Sequence, residues 1–428
     1  MDFAESTKYL LSLGNEVSAM KLGLGNIRIL LAALDDPQNN FLKVQVAGTN
    51  GKGSVCAFVD SICVRAGIKT GLFTSPHLIS ITERIKIGGV EISETDFARH
   101  AAKIREISES LVTRGKFESI PTFFEQITAI ALSVFAEKKI ELAILETGLG
   151  GRLDATTAAN AEIVAITSID YDHQEYLGET LSEIAAEKAA IIRPDTKVVV
   201  AKQKREAELV IRVRCREVGV EPIFSTTNIV MKKHDREFLS SNFITENGNY
   251  PNIELGIPGR HQVENAAVAI AVAELLGGFK FKISHEDIWL GLENVKHEGR
   301  MEFAGQFLFD GAHNPAGAKA LREYIDEFVE RPVTMIFGAM NGKDIGEIGR
   351  ILFTGPQYII LTKPENSRAM EPDAILDSVR ELGLENVILT ANVAEALKIA
   401  GDIAPPDGLI CVTGSLYLVG EAKKILNN

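Results

Sequence analysis

An excess of basic residues, clustered cysteines and long apolar runs are all missing from this 428-residue chain. Lysine and arginine total 45 against 58 aspartates and glutamates, a formal net charge of −13. Surfaces built for nucleic acid or anionic lipid gather Lys and Arg. Neither a nucleic-acid nor a membrane partner is therefore expected, although a local basic pocket for a phosphorylated ligand stays open. No run approaches the ~18–20 apolar residues that a bilayer requires. The opening MDFAESTKYLLSLGNE has neither the basic start nor the small-residue cleavage site of a secretory leader. Cys56, Cys63, Cys215 and Cys411 form no CxxC and no Cys/His cluster. That excludes a disulfide framework and a structural zinc site, and it points to a reducing cytoplasm.

What is present is ordinary globular composition, 46% apolar and 24% charged. At roughly 150 residues per domain, the length suggests two or three domains. From Phe41 onward, short apolar runs alternate with longer amphipathic stretches. Phe41–Gly48, Lys69–Phe73, Leu142–Glu146, Glu162–Ser168 and Lys197–Ala201 read as strands, and Arg84–Ser93 as a hairpin turning at Gly88-Gly89. Lys52–Ala66, Thr122–Lys138, Ser182–Ile192 and a segment through Cys215 read as helices, the third stopped by Arg193-Pro194. Residues 222–258 are polar and strand-like, and His261–Leu276 returns as an Ala-rich helix. The alternation begins afresh after Arg300, with strands at Gln306–Asp310, Val333–Gly338, Tyr358–Thr362 and Leu409–Gly414. This rhythm predicts α/β architecture. The expected arrangement is an N-terminal P-loop-type domain, 1–297, with a doubly wound, mostly parallel sheet, then a smaller Rossmann-like α/β domain, 298–428.

The strongest chemical signal is Ala47-Gly48-Thr49-Asn50-Gly51-Lys52-Gly53-Ser54, between a strand and a helix. Glycines let the backbone wrap phosphate oxygens, with amide N–H groups and a helix N-terminus facing the anion. Gly48, Thr49, Asn50, Gly51, Lys52, Gly53 and Ser54 are thus the candidate ATP-binding loop, Lys52 reaching the outer phosphates and Ser54 a Mg²⁺ ion. The strict GxxxxGK[ST] pattern is not met, because Val46 takes the first glycine position and Gly53 intervenes before the hydroxyl residue. A GTPase switch is set aside: the nearest guanine-reading string, Asn341-Gly342-Lys343-Asp344, is out of order. Read alone, Glu146 is a strand-end carboxylate, His173 a solvated neighbour of Asp172, and Lys188 a solvated helix charge.

GTNGKGS, FTSPHL (Phe73–Leu78), ETGLGGRLDAT (Glu146–Thr156), DHQEYLG (Asp172–Gly178), EKAAIIRP (Glu187–Pro194) and DGAHNP (Asp310–Pro315) stand in that order. Together they resemble the folylpolyglutamate synthase/dihydrofolate synthase family of the Mur ligase superfamily. The resemblance implies a ligase that uses ATP to activate a pteroate or folate carboxyl as an acyl phosphate, which the amine of L-glutamate then attacks. It implies two Mg²⁺ ions, the first held by Ser54 and Glu146, the second by Ser75 and His173 with a carbamylated Lys188, and stimulation by K⁺. The catalytic set is then Lys52, Glu146, His173 and Lys188. Asn265 is expected beside adenine, Arg300 at the phosphates, and Asp310 with His313 on the ribose side.

The resemblance also implies a pterin/folate-binding group of Thr122, Phe124, Arg152 and Asp154, the last as acceptor for the pterin amino group. Ser415, in TGSLYL, and the segment Lys363–Pro372 fall on the glutamate side. GGRLDAT resembles bifunctional members, which accept dihydropteroate as well as folates. The alternatives are a folylpolyglutamate synthase only, a Mur-type ligase for another carboxylate, and a nucleotide-binding regulator without ligase activity. A UDP-sugar substrate normally needs a further N-terminal domain, and only about 40 residues precede the loop strand. A monomer is expected, since two domains of one chain suffice to enclose the site.

Overall fold

The computed structural model describes residues 1–14, 23–225, 230–234 and 238–427. Among them, the first sheet comprises β1 (Leu42–Ala47), β2 (Thr70–Phe73), β3 (Ile85–Ile87), β4 (Val90–Glu91), β5 (Leu142–Glu146), β6 (Ile163–Ile166), β7 (Lys197–Val200) and β8 (Pro222–Phe224). Their order is β4-β3-β2-β5-β1-β6-β7-β8. Every pairing is parallel except those of the edge hairpin β3–β4. Gly88 and Gly89, both at positive φ, make its turn.

Helices cover both faces. Lys52–Arg65 and Arg260–Gly277 pack together over one, while Glu94–Thr113 and Phe123–Glu137 pack over the other. A strand buried on both sides has no polar alternation to display, which is why LAILE reads as one apolar run and all five of its residues are buried. Next come the antiparallel strands β9 (Val230–His234), β10 (Phe238–Ile244) and β11 (Asn249–Glu254).

The second large sheet comprises β12 (Glu302–Ala304), β13 (Phe307–Phe309), β14 (Val333–Phe337), β15 (Tyr358–Leu361), β16 (Val387–Leu389) and β17 (Leu409–Thr413). Its order is β12-β13-β17-β14-β15-β16, with only β12 antiparallel. The two doubly wound α/β layers are those expected from the alternation of strands and helices.

Several helices go beyond or depart from the sequence reading, among them Phe3–Ser12, Gly25–Ala32, His285–Glu293, Ile345–Leu352 and Val393–Ile403, which it left unassigned. Glu94–Thr113 is a 20-residue helix that the reading left unassigned. It buries only a narrow stripe that includes Phe97, Ala101 and Ile104, among many charges, and its N-cap Ser93 accepts from the Asp96 N–H. The helix expected to run to Ile192 is Leu181–Ala189. It ends early because another loop takes its terminal carbonyls: the Arg152 N–H donates to Glu187 O at 2.8 Å.

Several bonds fix the stretch Glu298–Arg300. Lys423 Nζ reaches Glu298 at 2.6 Å and Glu302 at 2.7 Å, and the Gly299 N–H donates to Glu302 at 2.7 Å. Leu78, in the loop after β2, seats against the helix Leu416–Leu426, where a Cβ on Gly420 would collide with the Leu78 carbonyl. Among the described residues, no helix is long and apolar enough to cross a membrane.

Candidate active site

The carboxyl ends of the two sheets face each other across a cleft of about 530 Å³. Ligands of open α/β sheets bind at that edge, because the loops there diverge and helix N-termini point inward. β1 runs into the turn Gly48–Gly51, and the helix Lys52–Arg65 starts from Gly51 at φ 89°. A Cβ on Gly51 would strike the Asn265 amide. The motif glycine therefore serves close approach as well as left-handed backbone. Lys52 curls over the loop, its Nζ 3.2 Å from both Gly48 O and Thr49 O.

Glu146 closes β5, and its Oε2 accepts the Ser75 N–H at 3.0 Å. Burial pushes the Glu146 carboxyl up, against the opposing pull of Lys52 and the Ser75 amide. Lys188, from the helix Leu181–Ala189, is buried and donates to Gly48 O at 2.8 Å. Burial first, then the Lys52 charge, brings its pKa down to about 7. His173 stands at φ 50°, its backbone N–H bonded to Asp172 Oδ1, and burial lowers its imidazole to about 4.

The far wall comes from the second half. Arg300 lies over Gly311. Asp310, at the end of β13, is held by the N–H groups of Met301 (3.0 Å) and Ala312 (2.9 Å). Ser415, after β17, caps the helix Leu416–Leu426. Gly48, Thr49, Asn50, Gly51, Lys52, Gly53, Ser54, Ser75, Glu146, His173, Lys188, Asn265, Arg300, Asp310, His313 and Ser415 all line this one cleft.

Thr122, Phe124, Arg152 and Asp154 do not line it. Thr122 caps the helix Phe123–Glu137, Phe124 packs against Phe73, and Arg152 pairs with Glu187 at 2.9 Å. Asp154 is buried, one oxygen accepting the Gly148 and Leu149 N–H groups and the other the Thr156 N–H and hydroxyl. It is thus a strut beneath the loop that follows Glu146. Removing it strands several buried donors at about 1–3 kcal/mol each. Asp154→Ala is therefore expected to lower the melting temperature. A thermal melt checks this; an unchanged melting temperature would leave Asp154 free for the pterin-reading role that the resemblance implies.

Sequence reasoning did not single out several groups at the cleft or behind its phosphate loop. Lys343 Nζ lies 2.6 Å from Asp172 Oδ1, and Asn314 Nδ2 bonds both Asn50 (3.0 Å) and Asp172 (3.2 Å). Burial alone would raise the Asp172 carboxyl, but hydrogen bonding to His313 and the charges around it hold it well below the ordinary range. Lys343 sits in the very string dismissed as a misordered guanine reader. His297 brings Nδ1 to 3.5 Å from Ser54 Oγ. Its only signal in sequence is its place three residues before Arg300.

The Mur ligase middle domain profile matches residues 46–273, and the Mur ligase, glutamate ligase domain profile matches 299–416. The chain is 32% identical to the dihydrofolate synthase/folylpolyglutamate synthase of Bacillus subtilis over 95% of both proteins. It is 33% identical, over 99% of its own length, to the probable bifunctional folylpolyglutamate synthases/dihydropteroate synthases of Halobacterium salinarum and Haloferax volcanii. It spans about half of those two relatives, 51% and 50%. The structure of Mycobacterium tuberculosis folylpolyglutamate synthase complexed with ADP superposes with a TM-score of 0.92 at 28% identity, covering 100% of this chain and 98% of that one.

Proposed function

This chain belongs to the folylpolyglutamate synthase/dihydrofolate synthase family of the Mur ligase superfamily, and from that premise we propose that it is an ATP-dependent ligase joining L-glutamate to dihydropteroate and to reduced folates. The observation that carries this reading is the single cleft in which the phosphate loop, Glu146 and Lys188 of one half face Arg300, Asp310 and His313 of the other.

A carboxylate acylates poorly, so its oxygen first attacks the γ-phosphorus of ATP, and ADP departs. The glutamate amine then attacks the acyl carbon, and phosphate leaves with the electron pair of the broken C–O bond. Both steps gather negative charge on oxygen, which fixed cations and N–H dipoles offset best in a partly dry site. Lys52 and the loop amides serve the transferred phosphoryl group, and Arg300 reaches the phosphates from the linker. Asn265 and the Asp310–His313 pair hold the adenosine end. Ser415 and the Lys363–Pro372 segment take the glutamate side. Thr122, Phe124, Arg152 and Asp154 are proposed for the pterin/folate side, although they do not line the cleft.

The donors available suit magnesium. Ser54 and Glu146 offer hard oxygens, and Glu146 Oε2 is 3.4 Å from where a Cβ on Gly53 would sit. Among the described residues, no trio of His, Cys, Asp and Glu side chains makes a closed cage, so such an ion would need phosphate oxygens and water to complete its shell. When bound, Mg²⁺ neutralises charge on the phosphates. Ser75, His173 and a carbamylated Lys188 are proposed for a second ion, with K⁺ as a stimulant. Domains meeting near residue 298, a monomeric state and a cytoplasmic location belong to the same proposal.

The test is ATP-dependent phosphate release with L-glutamate plus dihydropteroate, tetrahydrofolate or a muropeptide precursor. Release with both pterin substrates is the expected result, and release with neither sinks the folate reading. Folylpolyglutamate synthesis alone is the second reading, favoured by the internal use of Asp154's acceptors, and it predicts release with tetrahydrofolate only.

A further inference from the structure

The phosphate loop departs from the strict pattern by the glycine between Lys52 and Ser54, and the structure shows what lies against it. A Cβ on Gly53 would stand 2.8 Å from His297 Cε1 and 3.3 Å from Nε2. The His297 ring therefore rests on the first turn of the loop helix, beside Ser54 and on the side where Glu146 approaches. Ser54 is 3% exposed, and His297 Nδ1, at 3.5 Å, is the partner its hydroxyl has among the described residues. The short stretch between the helix His285–Glu293 and β12 thus places His297 against the loop helix and Arg300, which lines the cleft, over Gly311.

A serine hydroxyl near a helix start has competing options: it can bond a carbonyl one turn back, rotate to a buried partner, or turn its lone pairs to a cation. A neutral imidazole that accepts the hydroxyl proton at Nδ1, with its own proton on Nε2, keeps the lone pairs free. A cation on that oxygen also acidifies the O–H, so an acceptor for the proton strengthens the ligand. We propose that His297 is a positioning residue for Ser54, orienting the hydroxyl towards the cation of a Mg·nucleotide complex. This inference rests on the nucleotide reading above and adds to it a residue in the linker.

Calorimetric titration of the unaltered chain and three variants tests it, with Mg·AMPPCP as one probe and ADP in EDTA as the other. Asparagine places an amide oxygen near the position of Nδ1, whereas glutamine places it one bond further out. Loss of an outer-shell partner costs ~10–100-fold in metal affinity. His297→Leu and His297→Gln are therefore expected to weaken Mg·AMPPCP binding at least tenfold, His297→Asn to recover most of it, and metal-free ADP to change less than twofold. In a Ser54→Ala background the three replacements are expected to become equivalent.

Equal Mg·AMPPCP affinity in Asn and Gln variants overturns the proposal, even where the leucine chain does not fold. So does a parallel loss of metal-free ADP binding, which marks simple packing. Absence of any binding by the unaltered chain overturns the nucleotide reading itself, a result distinct from normal binding that ignores position 297.

Discussion

Lys52→Ala is expected to lower turnover by at least ~10²–10³-fold, the usual cost of removing one preorganised donor from a developing oxyanion, while the chain stays folded. Among the described residues, the side chain bonds two loop carbonyls, each at 3.2 Å. Truncating it breaks no ion pair given by the structure, and it removes one like charge that acts on Lys188. The lost attraction to the buried Glu146 carboxyl opposes that gain, so stability should change little. On the proposed function, the chemistry loses the ammonium that meets the transferred phosphoryl group as its charge redistributes. Steady-state phosphate release beside a thermal melt measures both effects. Normal turnover in a folded variant would leave the loop a structural turn.

Lys188→Ala is expected to cost a comparable factor, for a different reason. The ammonium is buried, bonded to Gly48 O rather than to a carboxylate, and repelled by Lys52. With its pKa near 7, much of the residue is a free amine at neutral pH, the form that adds CO₂. A carbamate would exchange a buried cation for an anion and turn repulsion by Lys52 into attraction. Activity should fall in CO₂-stripped buffer and return with bicarbonate, and formate should partly rescue the alanine variant by entering the vacated space. Full activity in Lys188→Ala would end the carbamate reading.

The same lysine carries a pH signature for stability. Its folded pKa of about 7 lies below the ordinary 10.5, so the unfolded chain binds the proton more tightly between those values. Stability from this group therefore rises with pH across that window. Lys188→Met should flatten the slope.

Much of the fold was legible because two-sided burial writes itself plainly: branched runs for strands, Ala-rich or amphipathic runs for helices. Glu94–Thr113 escaped because an exposed helix needs only a thin apolar stripe. The phosphate loop was legible because its glycines and lysine are contiguous, and the strand before and helix after it could be read from periodicity.

Asp154 shows the opposite case. Its residue type suits a pterin amino group, yet which donors saturate a carboxylate depends on where the loop Gly148–Leu149 and Thr156 end up. Lys343 and His297 are similar: neither motif nor spacing distinguishes them from solvated charges, and only the meeting of distant segments brings them to Asp172 and Ser54.

Local order along the chain thus determined the α/β class, the glycine-rich turn between strand and helix and the order of the motifs, because each depends on residues close in sequence. The facing of two sheet edges, the depressed Lys188 ammonium and the partners of Asp154, Lys343 and His297 were decided in three dimensions. Burial and Coulomb interaction depend on distance through space, and that distance is unrelated to separation along the chain.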